Sequence, residues 1–136
     1  GKYNPQLGFY KENSRAKFNK ALQGYDDGRL IMKYTIVAGT TSDIRFQLLE
    51  AGSPINLLAC TVDLLLSDRF GTAIVSPGTV TVTDTAEGKV QLTPSNTLVF
   101  DSTKSPYTAR WKITDGSGKI SYVPTGPRDI WEIVGA

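Results

Sequence analysis

Between Gly78 and Thr93 the chain alternates apolar and polar residues on both sides of one polar break. Val80 and Val82 alternate with Thr79, Thr81 and Thr83, and after Asp84-Thr-Ala-Glu-Gly88 the alternation resumes at Val90 and Leu92. Successive side chains of a strand point to opposite faces. A period of two therefore sets the four apolar residues on one buried face and leaves the threonines and Lys89 to solvent. Two such runs around a turn that ends in glycine form a β-hairpin. Nothing in this unit holds a nucleophile, a metal or a phosphate, so its role is scaffold.

The same pattern recurs along most of the chain. Residues 30–37 are rich in β-branched and aromatic residues and alternate Leu30, Met32, Tyr34 and Ile36 with Ile31, Lys33, Thr35 and Val37. In 43–49, Ile44, Phe46 and Leu48 alternate with Asp43, Arg45 and Gln47. Residues 55–66 read as a short strand, a corner and a second strand with Val62, Leu64 and Leu66 on one face. In 108–114, Ala109, Trp111 and Ile113 alternate with Thr108, Arg110 and Lys112, which makes Trp111 a core residue. Asp115-Gly-Ser-Gly118 is a hairpin turn, and residues 120–123 and 130–134 are the last strands. Short strands with turn signals every 8–12 residues, and no helical run of useful length between them, predict an all-β, antiparallel sandwich or barrel over residues 29–136. The longest loop is 95–106, whose apolar centre, Leu98-Val-Phe100, reads as loop or short strand.

Residues 1–28 form a different region, an N-terminal arm. The first ten residues mix Tyr3, Phe9 and Tyr10 with proline and glycine and show no period. In 13–24, Asn13 or Ser14 is placed to cap a short helix. Phe18 and Leu22 share one face of it, and Gly24 is placed to end it. The charge is uneven as well. Residues 1–33 hold seven Lys/Arg against three Asp/Glu, whereas 34–136 hold eight against ten. An arm that is both basic and aromatic is read as a docking segment for a neighbouring subunit. The weaker reading is binding of single-stranded nucleic acid by stacking and charge, and the bland one is packing on its own domain. Tyr3, Phe9, Tyr10, Arg15 and Phe18 are the partner-binding candidates there. Trp131 in the last strand joins them, since alternation leaves open which of its two faces is covered.

Composition narrows the chemistry. The chain has no histidine, the commonest general base and metal ligand. One cysteine, Cys60, excludes an intrachain disulfide and a cysteine-rich zinc site. Its apolar neighbours make it a small hydrophobe. Asp84 with Glu87 is a carboxylate pair, but both lie in a hairpin turn, where aspartate serves backbone bonding. Asp26-Asp27-Gly28 lacks the further ligands of a calcium loop. Ser67-Asp68-Arg69 and Ser102-Thr-Lys104 stand in no nucleophile motif. No apolar run reaches the length of a membrane span, and residues 1–28 lack the apolar stretch of a secretory signal. The expectation is a non-enzymatic protein without cofactor or metal, made in a cytoplasm, with protein partners and neither membrane nor nucleic acid.

Several segments resemble one family. They are Asp43-Ile-Arg-Phe-Gln-Leu-Leu-Glu50, Gly52-Ser-Pro-Ile-Asn-Leu57, Ala59-Cys-Thr-Val-Asp-Leu-Leu-Leu66, Gly78-Thr-Val-Thr-Val-Thr-Asp84, Gly88-Lys-Val-Gln-Leu-Thr93 and Tyr107-Thr-Ala-Arg-Trp-Lys-Ile-Thr-Asp-Gly116. In their order and spacing they are similar to the N-terminal domain of the baseplate upper protein family of tailed bacteriophages, with Asn56 where that pattern has aspartate. The resemblance implies an Ig-like sandwich and a structural place in a virion. On that footing the chain is expected to be an assembly adaptor in tail, baseplate or neck, with other virion proteins and copies of itself as partners. The alternatives are a capsid decoration protein and a carbohydrate-binding module for host adhesion. The last needs exposed aromatics, for which Tyr107, Tyr122 and Trp131 are the candidates, and a glycan as ligand.

Overall fold

A computed structural model describes the backbone of residues 19–23 and the whole of residues 33–136. The expected boundary between residues 28 and 29 lies outside them. The strands are β1 (Asn19–Gln23), β2 (Lys33–Val37), β3 (Ile44–Glu50), β4 (Ser53–Pro54), β5 (Thr61–Ser67), β6 (Gly78–Asp84), β7 (Lys89–Pro94), β8 (Tyr107–Thr114), β9 (Ile120–Val123) and β10 (Asp129–Val134). One turn of 3-10 helix, Ser102–Lys104, is the sole helical element among the described residues.

The strands form two sheets that pack as a β-sandwich. In the first, β8 pairs along one edge with the whole of β5, from Thr61↔Thr114 to Ser67↔Thr108. Its other edge is shared. Trp111 to Thr114 pair with β9, and Tyr107 to Ala109 pair with β10. β2 then adds to β10. The second sheet runs β1-β3-β7-β6, with β4 extending the β3 pairing at Leu49 and Glu50. The hairpin read from alternation is β6–β7, with a register shift between Val82 and Asp84. Val90 and Leu92 are fully buried, and Val80 and Val82 pack against the core from its margin.

Two expectations are corrected here. The sandwich is not wholly antiparallel, because β2 runs parallel to β10 and β1 parallel to β3. Parallel neighbours need long connections, and here almost the whole domain lies between Val37 and Ile130. The helix expected over 13–24 is also overturned where it is described, since Asn19 to Gln23 are extended and pair with Phe46 to Glu50. A helix of about ten residues is marginal by itself. The open edge of β3 offers a row of backbone partners that such a helix cannot match.

The core holds one aromatic cluster. Tyr34, Phe46, Phe100, Tyr107, Trp111 and Trp131 are all buried, and Trp111 is core as read. The loop 95–106 contains no strand. Its Val99 and Phe100 turn inward instead, with Phe100 6.0 Å from Trp131 and 6.1 Å from Tyr107 between ring centroids. The Tyr107 hydroxyl holds this loop down by donating to Val99 O at 2.8 Å and accepting from Asp101 N at 3.0 Å. Cys60 is half-buried against the core, and its thiol donates to Leu58 O.

Candidate partner-binding surfaces

Of the residues singled out for partner contact, Tyr3, Phe9, Tyr10, Arg15 and Phe18 lie outside the described residues. Trp131 is described, and it is not a surface residue. It has 0 % exposure, stacks on Phe46 of the facing sheet and abuts Tyr34, Phe100 and Trp111. The face it shares with Ile133 is the inward one, because Asp129, Trp131 and Ile133 are buried against the facing sheet while Ile130, Glu132 and Val134 alternate with them on the outer side. Trp131 is therefore withdrawn as a contact residue. Tyr107 is fully buried too. Of the three aromatics considered for a glycan platform, only Tyr122 on β9 is exposed, at 40 %.

The carboxylates considered for chemistry serve turns. Asp84 Oδ1 accepts from Glu87 N, and Asp68 Oδ1 accepts from Phe70 N and Thr72 N. Asp101 caps the 3-10 turn by accepting from Thr103, which holds its carboxyl below the ordinary range. Asp115 accepts from Ser117 and Lys119 across the predicted hairpin turn, and the Ser117 hydroxyl above all holds it low. Among the described residues no group of three or more His, Cys, Asp and Glu is arranged to hold a metal.

One buried polar group escaped the reading of the sequence. Asp129 is 2 % exposed at the start of β10. Burial pushes its carboxyl up to about 8, against the opposing pull of Arg110. Tyr34 is held well above its ordinary value by burial and then by the charge of Asp129. Asp129 Oδ2, Tyr34 Oη, Arg110 Nε and both indole nitrogens have no hydrogen-bond partner among the described residues. Arg110 is tied elsewhere, its Nη2 donating to Gly126 O. An aspartate flanked by isoleucine in a terminal strand carries no local signal of burial, since only the packing of β10 between β8 and β2 encloses it.

The surface itself offers a groove of about 370 Å³ between the two sheets, lined by Val62, Asp63 and Leu64 of β5 and by residues 75–78 and Val80 leading into β6. Val75 stands on its rim at 92 % exposure. The loop that carries Val75 is tied to the 95–106 loop, where Leu98 is also exposed. Ser95 Oγ and N donate to Ser76 O and Pro77 O, and Arg69 N donates to Lys104 O. Phe70 on the same loop is exposed under the Arg69 guanidinium, 4.7 Å from its ring centroid. The two bonded loops thus present a surface with three large exposed apolar side chains, Val75, Leu98 and Phe70. Alternation could not find it, because a sequence does not show which strands end a sheet.

No family model matches the chain, and no curated protein matches it. Among solved structures the fold is similar to the N-terminal domain of ORF48 of phage TP901-1. The TM-score is 0.58, with 13 % sequence identity, over 85 % of this chain and 95 % of that one. At that identity the likeness is one of fold.

Proposed function

We propose that the chain is a non-enzymatic structural protein of a bacteriophage particle. In this reading it is an assembly adaptor of tail, baseplate or neck that docks on other virion proteins, and on copies of itself, through its N-terminal arm. The observation that carries the reading is the fold shared with a phage protein domain over 85 % of this chain and 95 % of that domain. It is supported by the structural use of Asp68, Asp84, Asp101 and Asp115, which leaves those carboxylates occupied by backbone donors. The basic, aromatic composition of the arm supplies the contact chemistry. Aromatic burial at a partner offsets the entropy lost when such a segment orders.

The test is incorporation of a chain lacking residues 1–18 into particles. Deletion stops there because β1 begins at Asn19 and belongs to the sheet. Loss of incorporation by a variant that still folds is the expected result, and unchanged incorporation overturns the docking role of the arm. Immunogold labelling separates tail from capsid decoration. For the adhesion alternative, the structure leaves Tyr122 as the single exposed member of the proposed aromatic set. A glycan array should therefore give no hits.

A further inference from the structure

The turn at residues 68–72 is held from inside. Asp68 is buried, and its Oδ1 accepts from Phe70 N at 2.9 Å and from Thr72 N at 3.0 Å. The backbone closes the same turn, with Asp68 N donating to Thr72 O and Gly71 N to Asp68 O. A carboxylate that takes two backbone donors fixes the turn without using the side chains at its tip, Arg69 and Phe70. Phe70 is 66 % exposed, and the Arg69 guanidinium stacks on its ring. No carboxylate among the described residues forms an ion pair with Arg69. Two ties lay this segment along the 95–106 loop. Arg69 N donates to Lys104 O, and Ser95 donates to Ser76 O and Pro77 O. Val75 and Leu98 stand exposed near the second tie. The acids of the two loops are turned to backbone work, Asp68 as above and the half-buried Asp101 on Thr103. The fully exposed charges of these loops are therefore both cations, Arg69 and Lys104.

We propose that Arg69, Phe70 and Lys104, with Val75 and Leu98, form a docking surface for an acidic segment of a partner protein. The segment sets carboxylates against the two cations and lays apolar side chains over Phe70, Val75 and Leu98. The inference goes beyond the docking role of the arm and does not depend on it, since none of these residues belongs to the arm. The sign of the charge selects the occupant. A second copy meeting this surface across a two-fold axis matches the patch to itself, which sets Arg69 and Lys104 against their own kind and repels. The chain's own residues 1–33 carry seven Lys/Arg against three Asp/Glu, the same sign as the surface. A nucleic acid has the opposite sign, but two cations make few phosphate contacts. One face of the Phe70 ring is also taken by Arg69, and the aliphatic Val75 and Leu98 give bases no ring to stack on. A carboxylate fits better. The planar guanidinium takes it in two parallel hydrogen bonds. Stacking on Phe70 already orients that guanidinium, and the tied turn leaves little backbone freedom to lose on binding.

The experiment selects binders for the full chain from a random library of short peptides and titrates them by fluorescence anisotropy. The parent is compared with Phe70→Ser, Arg69→Glu and Leu98→Asp. All three positions are exposed, and near-ultraviolet circular dichroism checks that the fold is kept. The expected result is a shared sequence with Asp or Glu beside an apolar residue. Each substitution should weaken its binding about tenfold or more, the effect of losing a central contact residue. Added salt should weaken it too, and removal of residues 1–18 should leave it unchanged. No shared sequence, a basic one, or peptides that bind the Arg69→Glu chain as well as the parent overturns the proposal. So does tighter binding of single-stranded oligothymidylate that Arg69→Glu abolishes. A gain in affinity on removing residues 1–18 makes the arm the occupant, and a dimer that Phe70→Ser abolishes makes it a second copy. Either overturns the proposal as well. The adaptor reading is judged apart, by incorporation of the chain lacking residues 1–18, so each can fail while the other stands.

Discussion

Trp131 and Phe46 lie face to face, their ring centroids 5.1 Å apart and their planes 10° from parallel. Trp131 belongs to β10 in one sheet and Phe46 to β3 in the other, so this pair joins the layers of the sandwich. Both rings are fully buried.

Replacing Trp131 by alanine is expected to cost about 3–5 kcal/mol, the range for deleting a large buried aromatic. Trp131→Phe keeps an aromatic partner for Phe46 and should cost less. Urea denaturation of both variants checks the order. A Trp131→Ala variant as stable as the parent would contradict the packing described.

Tyr107→Phe leaves the ring in place and removes the hydroxyl that bridges Val99 O and Asp101 N. With two backbone groups losing a partner beneath the 95–106 loop, the expected loss is about 1–3 kcal/mol. Hydrogen exchange at the Asp101 amide should accelerate in the same variant, whereas amides of β6 and β7 should keep their protection.

Gly88 closes the β6–β7 hairpin at φ 65°. A Cβ there would stand 2.6 Å from Leu48 O and 2.8 Å from Ile55 O, both backbone atoms. Gly118 in the β8–β9 turn has φ 88° and nothing within 4 Å of such a Cβ. Gly88→Ala should therefore exceed Gly118→Ala in cost. The latter carries only the backbone penalty, on the order of 1 kcal/mol or somewhat more. Thermal unfolding of the two variants side by side decides it.

The carboxyl of Asp129 sets a pH dependence of defined sign. Its folded value of about 8 lies above the unfolded one, near 3.9 for an ordinary aspartate. Between the two the folded state holds a proton that the unfolded state has released. Stability is thus highest at the acid end of that window and falls as pH rises toward 8, with a limiting slope of about 1.4 kcal/mol per pH unit. Asp101 and Asp115 act in the opposite sense. Their folded values are lowered, so their contribution is present above the unfolded value and is lost as pH falls through the folded one. Denaturation curves for parent and Asp129→Asn across this range test it. The variant should lose the decline toward pH 8 and keep the acid limb.

What could be read from the sequence was what two or three neighbouring residues decide. The β6–β7 hairpin, the Asp115 turn and the inward set Ala109, Trp111 and Ile113 follow from local alternation and turn chemistry, and all are present. The inward face of β10 stayed open because the strand has apolar residues on both sides, and only the facing sheet, with Phe46 stacked on Trp131, decides it. Residues 19–23 defeated a local reading for a similar reason, since their extended form depends on the edge of β3, which begins more than twenty residues later. The groove was invisible for want of sheet order. Val62, Leu64, Gly78 and Val80 read as ordinary strand residues until β5 and β6 are seen to end their sheets among the described residues.

The five-residue parallel pairing of β1 with β3 has a mechanical consequence. Hydrogen bonds in such a pair run across the strands rather than along them. A pull on residues 1–18 along the strand axis would load the whole row together, in shear, instead of peeling bonds one after another. An arm gripped by a neighbour would hand tension straight to β3 and through Phe46 to Trp131, so the connection between subunits would yield at the strength of the sandwich rather than at that of a loop.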